Sequence, residues 1–341
     1  MTMSNNSSTV TSSEQDRAPP RATFFIALLI IITVVSNLLF IVLFFTSRRL
    51  RTPFNIYLLN IAINDFLTGL IDMPYYAVLT YYGYWALSDL HCSVWMFFDF
   101  TVDLVSLWGL VAVSVDRVWS ITWPVSYCHH NSFKKAFFLI GCGWVICYAS
   151  MLPGYIYTRS HFANQSVNLS CEWINDGAPS WASSIPLAFV DIFTPVILTV
   201  ICYMIVVVQM GRLKRQRQIN AQNDDNSRRE SRRKKKDRQA LLVLTALIVA
   251  CVLAWVPWWV CMFLHLVTEE EYSVCLTVTY WLSYGLSGAN PFMSGIASSD
   301  VRYVLKHFCG RKPNRGRVSA ISAKHTGGNG MTLHHHSSNH D

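Results

Sequence analysis

The chain has 341 residues, of which 52% are hydrophobic and only 14% charged, with a formal net charge of +8. A water-soluble domain carries about 25% charged residues, so this balance excludes an ordinary soluble globule and points to a membrane. The mean hydropathy of +0.29 agrees, and the basic residues lie between apolar runs rather than on one polar face, which excludes a nucleic-acid-binding surface.

Residues 1–23 form a polar, Ser- and Asn-rich N-terminal tail. The first apolar run, FFIALLIIITVVSNLLFIVLFF at 24–45, is uncharged and long enough to cross a hydrocarbon core of about 30 Å as a helix. It exceeds a signal-peptide core and lacks a basic n-region and an A-x-A site, so it is expected as a retained span. Six further runs follow near 54–80, 93–122, 136–157, 183–210, 239–267 and 274–297. None alternates like a membrane barrel strand, so all are expected as helices. The expected fold class is an all-α membrane protein, a seven-transmembrane helix bundle over 24–298. Residues 212–236 are read as a charged cytoplasmic loop, partly unstructured. The stretch 299–310 follows, SDVRYVLKHFCG, with Val301, Tyr303, Val304 and Phe308 roughly on one face. It reads as a short amphipathic eighth helix at the membrane surface, with Cys309 as a palmitoylation acceptor. Residues 311–341 are a Gly-, Ser- and His-rich tail expected to be disordered. No internal repeat is visible, which argues against repeat-built transporter folds.

Lys and Arg in the short loops give the orientation. One set of loops holds Arg48, Arg49, Arg51, Lys134, Lys135 and the run RRKKKDR at 232–238; the other holds Asp89, Glu172, Asp176 and Glu269–Glu271. The basic side is cytoplasmic, which places the N-terminus outside and the C-terminus inside. Glycosylation sequons at Asn5, Asn6, Asn164 and Asn168 fall on the segments assigned outside. Cys92 and Cys171 lie on the same side and can bridge in an oxidising exterior, and Cys275 can pair with Cys261.

The third run carries Asp99, Asp103, Asp116 and Arg117. Each charge at a bilayer centre costs at least ~2.5–3.5 kcal/mol on insertion scales, so each needs a partner or a water-filled cavity. Asp99 and Arg117 are ~27 Å apart along a helix and cannot pair, which implies two sites, one at each membrane face. Asp99 and Asp103 share a helix face one turn apart, and no Lys or Arg occupies the outer half of any run. Two such carboxylates stay ionised only beside a cation, either sodium or a ligand. The expectation is an acidic well open to extracellular water. Trp255, Trp258, Trp259, Tyr280, Trp281 and Tyr284 lie at matching depth, and their ring faces attract ammonium groups. Asp191, Asp65 and Asp72 add acids from other runs. Protonated carboxyls serving as interhelical glue are the plainer alternative.

Short motifs then follow one another, about one per run. They are SNLLFIV with Asn37; LNIAIND with Asp65; Cys92; DRVWSITWPVSY with Asp116, Arg117 and Pro124; Trp144; FTPVILTVICY with Pro195 and Tyr203; AWVPWW with Trp255 and Pro257; and NPFMS with Asn290 and Pro291. Together they resemble the rhodopsin-like G protein-coupled receptors over about residues 24–309. The resemblance implies a plasma-membrane receptor, not an enzyme, with a heterotrimeric G protein, and arrestin, as cytoplasmic partners. It implies that Arg117 engages the G protein and pairs at rest with Asp116 and Asp237. It further implies a sodium pocket at Asp65, Ser106, Ser287 and Asn290, and a Trp255 that shifts as its helix kinks at Pro257. No other cofactor is implied.

Within that family, Asp99 stands where biogenic-amine receptors carry their amine-binding carboxylate, and Tyr284 is expected to bond it. YWLSY resembles the histamine and muscarinic branch, and DIFTP with Asp191 resembles certain histamine receptors. The expected ligand is therefore a small amine, histamine first and acetylcholine or another amine second. The expected ligand site comprises Asp99, Asp103, Asp191, Trp255, Trp258, Tyr280, Trp281 and Tyr284. Four positions depart from the family pattern: Ser294 replaces the tyrosine of NPxxY, Cys251 a phenylalanine, Ala254 a cysteine, and Leu286 an asparagine. Rival readings are a cation transporter or channel and a non-signalling decoy receptor. Retinal is excluded because the last run has no Lys for a Schiff base, and zinc hydrolysis because only His265 lies well inside a run.

Overall fold

The computed structural model describes residues 19–162, 171, 193–220, 227–268 and 273–308. Asn5, Asn6, Asn164, Asn168, Asp191 and Cys309 lie outside the described residues, as do the side chains of Asp103 and Asp237. The described backbone is helical almost throughout. Helix α1 is Pro20–Thr46 and α2 is Pro53–Leu67, which runs through a π turn at Thr68–Asp72 into α3, Met73–Tyr82. Then come α4, Asp89–Thr122; α5, Pro124–His130; α6, Phe133–Phe162; α7, Thr194–Asn220; α8, Ser227–Thr268; α9, Ser273–Ala297; and α10, Ser299–Phe308.

Six of these stretches are long and apolar enough to cross a membrane: Pro20–Thr46, Pro53–Tyr82, Asp89–Thr122, Phe133–Pro153, Thr194–Leu213 and Leu241–His265. Helix α9 is 25 residues long, about 37 Å, and carries a polar stripe of Ser283, Ser287 and Asn290 that faces inward. Its outward residues remain apolar, with Val274, Val278, Leu282 and Phe292 more than half exposed. The same pattern marks α1 and α7, whose exposed Phe24, Ile31, Val35, Ile197 and Met204 require a lipid surround.

The π turn was not visible in the sequence, where 54–80 reads as one uninterrupted helix. Its cause is Pro74, which lacks an N–H and whose ring would collide with the carbonyl four residues back. Widening the turn relieves that contact, and the Met73 N–H bonds Thr68 O, five residues back. Helical structure also enters the charged segment 212–236, since α7 continues to Asn220 and α8 begins at Ser227.

Interhelical hydrogen bonds set the register of the bundle. Asn37 Nδ2 donates to Ser287 O at 3.0 Å, joining α1 to α9, and Trp144 Nε1 donates to Asn60 Oδ1 at 3.1 Å, joining α6 to α2. Gly69 on the π turn lets α1 approach closely: a Cβ there would lie 2.9 Å from Thr33 Cγ2 and 3.0 Å from Val34 Cγ2. The main apolar core fills the half of the bundle that holds Arg117, from Phe40, Leu43 and Leu59 to Val243 and Leu244. In α10, Val301 and Val304 turn into this core, whereas Tyr303 is exposed beneath the Arg49 guanidinium, 4.2 Å from its ring centroid. The face expected from the sequence thus divides: its valines pack on protein, and Tyr303 stays outside. Arg49 also bonds Asp300 at 2.8 Å, tying the turn between α1 and α2 to α10.

Candidate functional site

The outer site begins with Asp99, three turns into α4, on a helix whose start is pinned by the Cys92–Cys171 disulfide. Trp85, Trp95 and Tyr76 pack around that bridge, with Trp85 and Trp95 stacked at 5.2 Å. Inward of it, α9 presents two tyrosines one turn apart to one carboxylate. The Tyr284 hydroxyl donates to Asp99 Oδ1 at 2.5 Å, and the Tyr280 hydroxyl donates to Asp99 Oδ2 at 2.6 Å. A spacing of four residues places both phenols on one helix face, which is why a single carboxylate receives both.

Around this triad the rings form a continuous cage. Tyr76 lies 4.8 Å from Tyr280, 5.4 Å from Trp281 and 5.8 Å from Tyr284. Trp258 lies 5.9 Å from Tyr280 and 6.1 Å from Trp255, so α8 supplies the opposing wall. Trp281 is fixed by its own Nε1 bond to Thr80 Oγ1 at 3.2 Å and meets the site through Tyr284. Trp259 stacks edge-on against Trp258 at 4.9 Å and stands behind that wall. Tyr76 is the member that the sequence reading missed. Its only signal was its place in an aromatic-rich run, YYAVLTYYGYW, which reads as an interface belt.

One expectation is corrected. The carboxylate faces the bundle interior, as anticipated, but the well is not open: Asp99 is 5% exposed and Tyr284 2%. The two phenols occupy both oxygens in place of water.

The inner site lies at the other end of α4. Arg117 Nε donates to Asp116 Oδ2 at 3.1 Å and Nη2 bonds the same oxygen. Tyr127, on the short helix α5, accepts from Arg117 Nη2 at 3.0 Å and donates to Asp116 Oδ2 at 3.2 Å. Burial pushes the Tyr127 hydroxyl up to about 12, so it stays protonated and keeps its proton for Asp116. The guanidinium lies 4.0 Å over the Phe54 ring, which closes the site from α2. Pro124 opens α5 and sets Tyr127 one turn on, the geometry that brings the phenol back to α4. Tyr203 of α7 is reached by the Thr245 hydroxyl of α8 at 3.4 Å and does not join this cluster.

Between the two sites lies a cavity of about 50 Å³ whose lining includes Asp65, Ser106, Ser287, Asn290 and Trp255. Asn290 Nδ2 donates to Asp65 Oδ2 at 2.7 Å, and Asn290 Oδ1 is buried without a hydrogen-bond partner. One carboxylate, two hydroxyls and an unsatisfied amide oxygen form an all-oxygen donor set, which fits a small hard cation. Among the described residues no cluster of three His, Cys, Asp or Glu could hold a transition metal. Next to it, a smaller cavity of about 10 Å³ is lined by residues that include Asn37, Asn290, Pro291 and Ser294.

The comparison with known families decides the class. The family described as "7 transmembrane receptor (rhodopsin family)" matches residues 36–293. The chain belongs to that family. It is accordingly a multi-pass membrane receptor and not an enzyme. Among curated relatives, the muscarinic acetylcholine receptor M2 of Gallus gallus is 26% identical over 182 residues, 52% of this chain and 38% of the relative. The muscarinic acetylcholine receptor DM1 of Drosophila melanogaster is 35% identical over 112 residues, 33% of this chain and 14% of the relative. The 5-hydroxytryptamine receptor 1 of Aplysia californica is 23% identical over 312 residues, 79% of this chain and 68% of the relative. The matched region thus spans well under half the length of the two muscarinic relatives.

Proposed function

We propose that this receptor binds a small cationic amine in the cage around Asp99 and passes the event to a heterotrimeric G protein at the Arg117 face. The carrying observation is the buried Asp99 carboxylate held by Tyr280 and Tyr284 inside a wall of aromatic rings. An ammonium that joins the phenols at the carboxylate, on the lone pairs they leave free, gains a charge pair in a dry site and cation–π contact on several faces. The names of the relatives, muscarinic acetylcholine and 5-hydroxytryptamine receptors, support an amine of this size. An aromatic enclosure suits a quaternary ammonium, because it asks for no hydrogen-bond donor on the nitrogen, and an acetylcholine-type ligand is the reading the cage favours. Histamine is the second reading. It rests on Asp191, four residues before Pro195, as partner for the imidazole.

Transmission is a population shift. A ligand that draws α4, α8 and α9 together on the outer side favours the bundle state whose inner face is open, where Arg117 leaves Asp116 and Tyr127. Pro257 gives α8 the weak point at which its inner half can swing. Full switching from 1:99 to 99:1 takes about 5.5 kcal/mol of differential affinity. Sodium in the Asp65 cavity opposes that contraction as an allosteric ion.

The test is a G protein activation assay in membranes with acetylcholine, histamine and serotonin, on the native receptor and Asp99→Ala. An amine response that vanishes in the variant while surface expression holds is the expected result. Amine-driven ion flux without G protein activation would point to a transporter, and amine binding without either would point to a decoy receptor. Retained potency in Asp99→Ala removes the carboxylate from the site.

A further inference from the structure

A second disulfide, Cys261–Cys275, joins α8 to α9 across a sequence separation of 14 residues. Cys261 lies one turn outward of Trp258 and four residues beyond Pro257; Cys275 lies five residues before Tyr280. Trp258 and Tyr280 are the two rings through which α8 and α9 meet beside Asp99, with centroids 5.9 Å apart. Tyr280 also holds one of the two carboxylate oxygens. Proline removes the backbone bond that would stiffen α8 at 257, so the outer part of α8 is free to pivot unless something else fixes it. The Cys261 side chain is 6% exposed and faces α9. Val260, Phe263 and Leu264 are exposed at the bundle surface and supply no such restraint.

We propose that the Cys261–Cys275 bridge is a positioning brace for the ligand cage: it holds Trp258 against Tyr280, so that a bound cation is retained and motion at Pro257 is directed to the cytoplasmic half of α8. For the ligand, the inference rests on the amine reading given above; the brace itself rests on geometry. With the outer ends of α8 and α9 tied, the cage opens only by moving both helices together away from α4, a larger and slower rearrangement than rotation of one helix. Preorganisation of this kind acts mainly on how long a ligand stays.

The test uses the full chain in lipid nanodiscs. Non-reduced peptide mapping of the native receptor should recover residues 261 and 275 in one linked product; two alkylatable thiols would overturn the proposal. Cys261→Ala, Cys275→Ala and the double variant should each release a labelled muscarinic amine antagonist about tenfold faster, with association little changed. Equality of the three is the mark of a bridge; an effect confined to one cysteine, or unchanged dissociation in all three, overturns the proposal. Hydrogen exchange in the unliganded receptor gives a ligand-free arm. It should quicken in 258–262 and 276–281 of the variants and not in α1, and equal exchange throughout overturns the brace. Failure of the native receptor to bind any amine sinks the amine reading, and the exchange arm then decides the brace alone.

Discussion

Tyr284 and Asp99, 185 residues apart in the chain, meet hydroxyl to carboxylate at 2.5 Å, and Tyr284 is 2% exposed. A phenol so placed keeps the carboxylate satisfied in the absence of ligand and shapes the site when the ligand is present. Hydrogen bonds to charged groups contribute about 1.5–3 kcal/mol. Tyr284→Phe is therefore expected to weaken amine affinity by about tenfold or more. Saturation binding on membranes checks this. Unaltered affinity with normal expression would mean that the phenol does not contribute to the liganded site.

At the inner site, Asp116 accepts from both Arg117 and Tyr127. Asp116→Asn removes the charge but keeps the volume, and loss of about 1.5–3 kcal/mol of resting-state bonding shifts the equilibrium toward the open face by about tenfold or more. Ligand-independent G protein activation should rise. Tyr127→Phe should raise it in the same direction by a smaller amount, since Arg117 then keeps Asp116. Basal nucleotide exchange on the G protein is the readout, and a basal rate equal to that of the native receptor in both variants would refute the latch.

Asp65→Asn removes the one carboxylate from the 50 Å³ cavity. The expected consequence is that sodium no longer lowers agonist affinity, while antagonist affinity changes little. Competition binding in sodium and in an equimolar large organic cation measures it. A sodium effect that survives the substitution would place the ion elsewhere.

Gly69→Ala tests the close approach of α1 to the π turn. A methyl there meets Thr33 Cγ2 at 2.9 Å and Val34 Cγ2 at 3.0 Å, both on β-branched side chains with little rotamer freedom. Overpacking costs of about 1–3 kcal/mol exceed the ~1 kcal/mol that alanine adds in helix propensity. The detergent-solubilised variant should lose thermal stability, and Gly69→Leu should lose more. A Tm at or above that of the native receptor would show that α1 can yield.

Seven apolar runs, the basic loops between them and one motif per run were legible in the sequence, because hydropathy and charge in a membrane are read residue by residue against a fixed slab of lipid. So were Asp99, Arg117 and Asp65, whose cost inside the slab demands a reason wherever the chain places them. The Tyr284 bond to Asp99 was expected from the family resemblance; the second bond from Tyr280, the closure of the well, and the entry of Tyr76 and Tyr127 were decided only by tertiary structure. Each depends on the rotation of one helix about its axis against another, and that rotation is fixed by packing such as Gly69 on Thr33 and Asn37 on α9. The π turn before Pro74 belongs with them: a proline in sequence announces a disturbed helix, but whether it kinks or widens depends on what the neighbouring helices leave room for. The sequence thus determined which charges must be answered inside the membrane, and the packed bundle decided which side chains answer them, because partners in a helix bundle are neighbours in space and not in the chain.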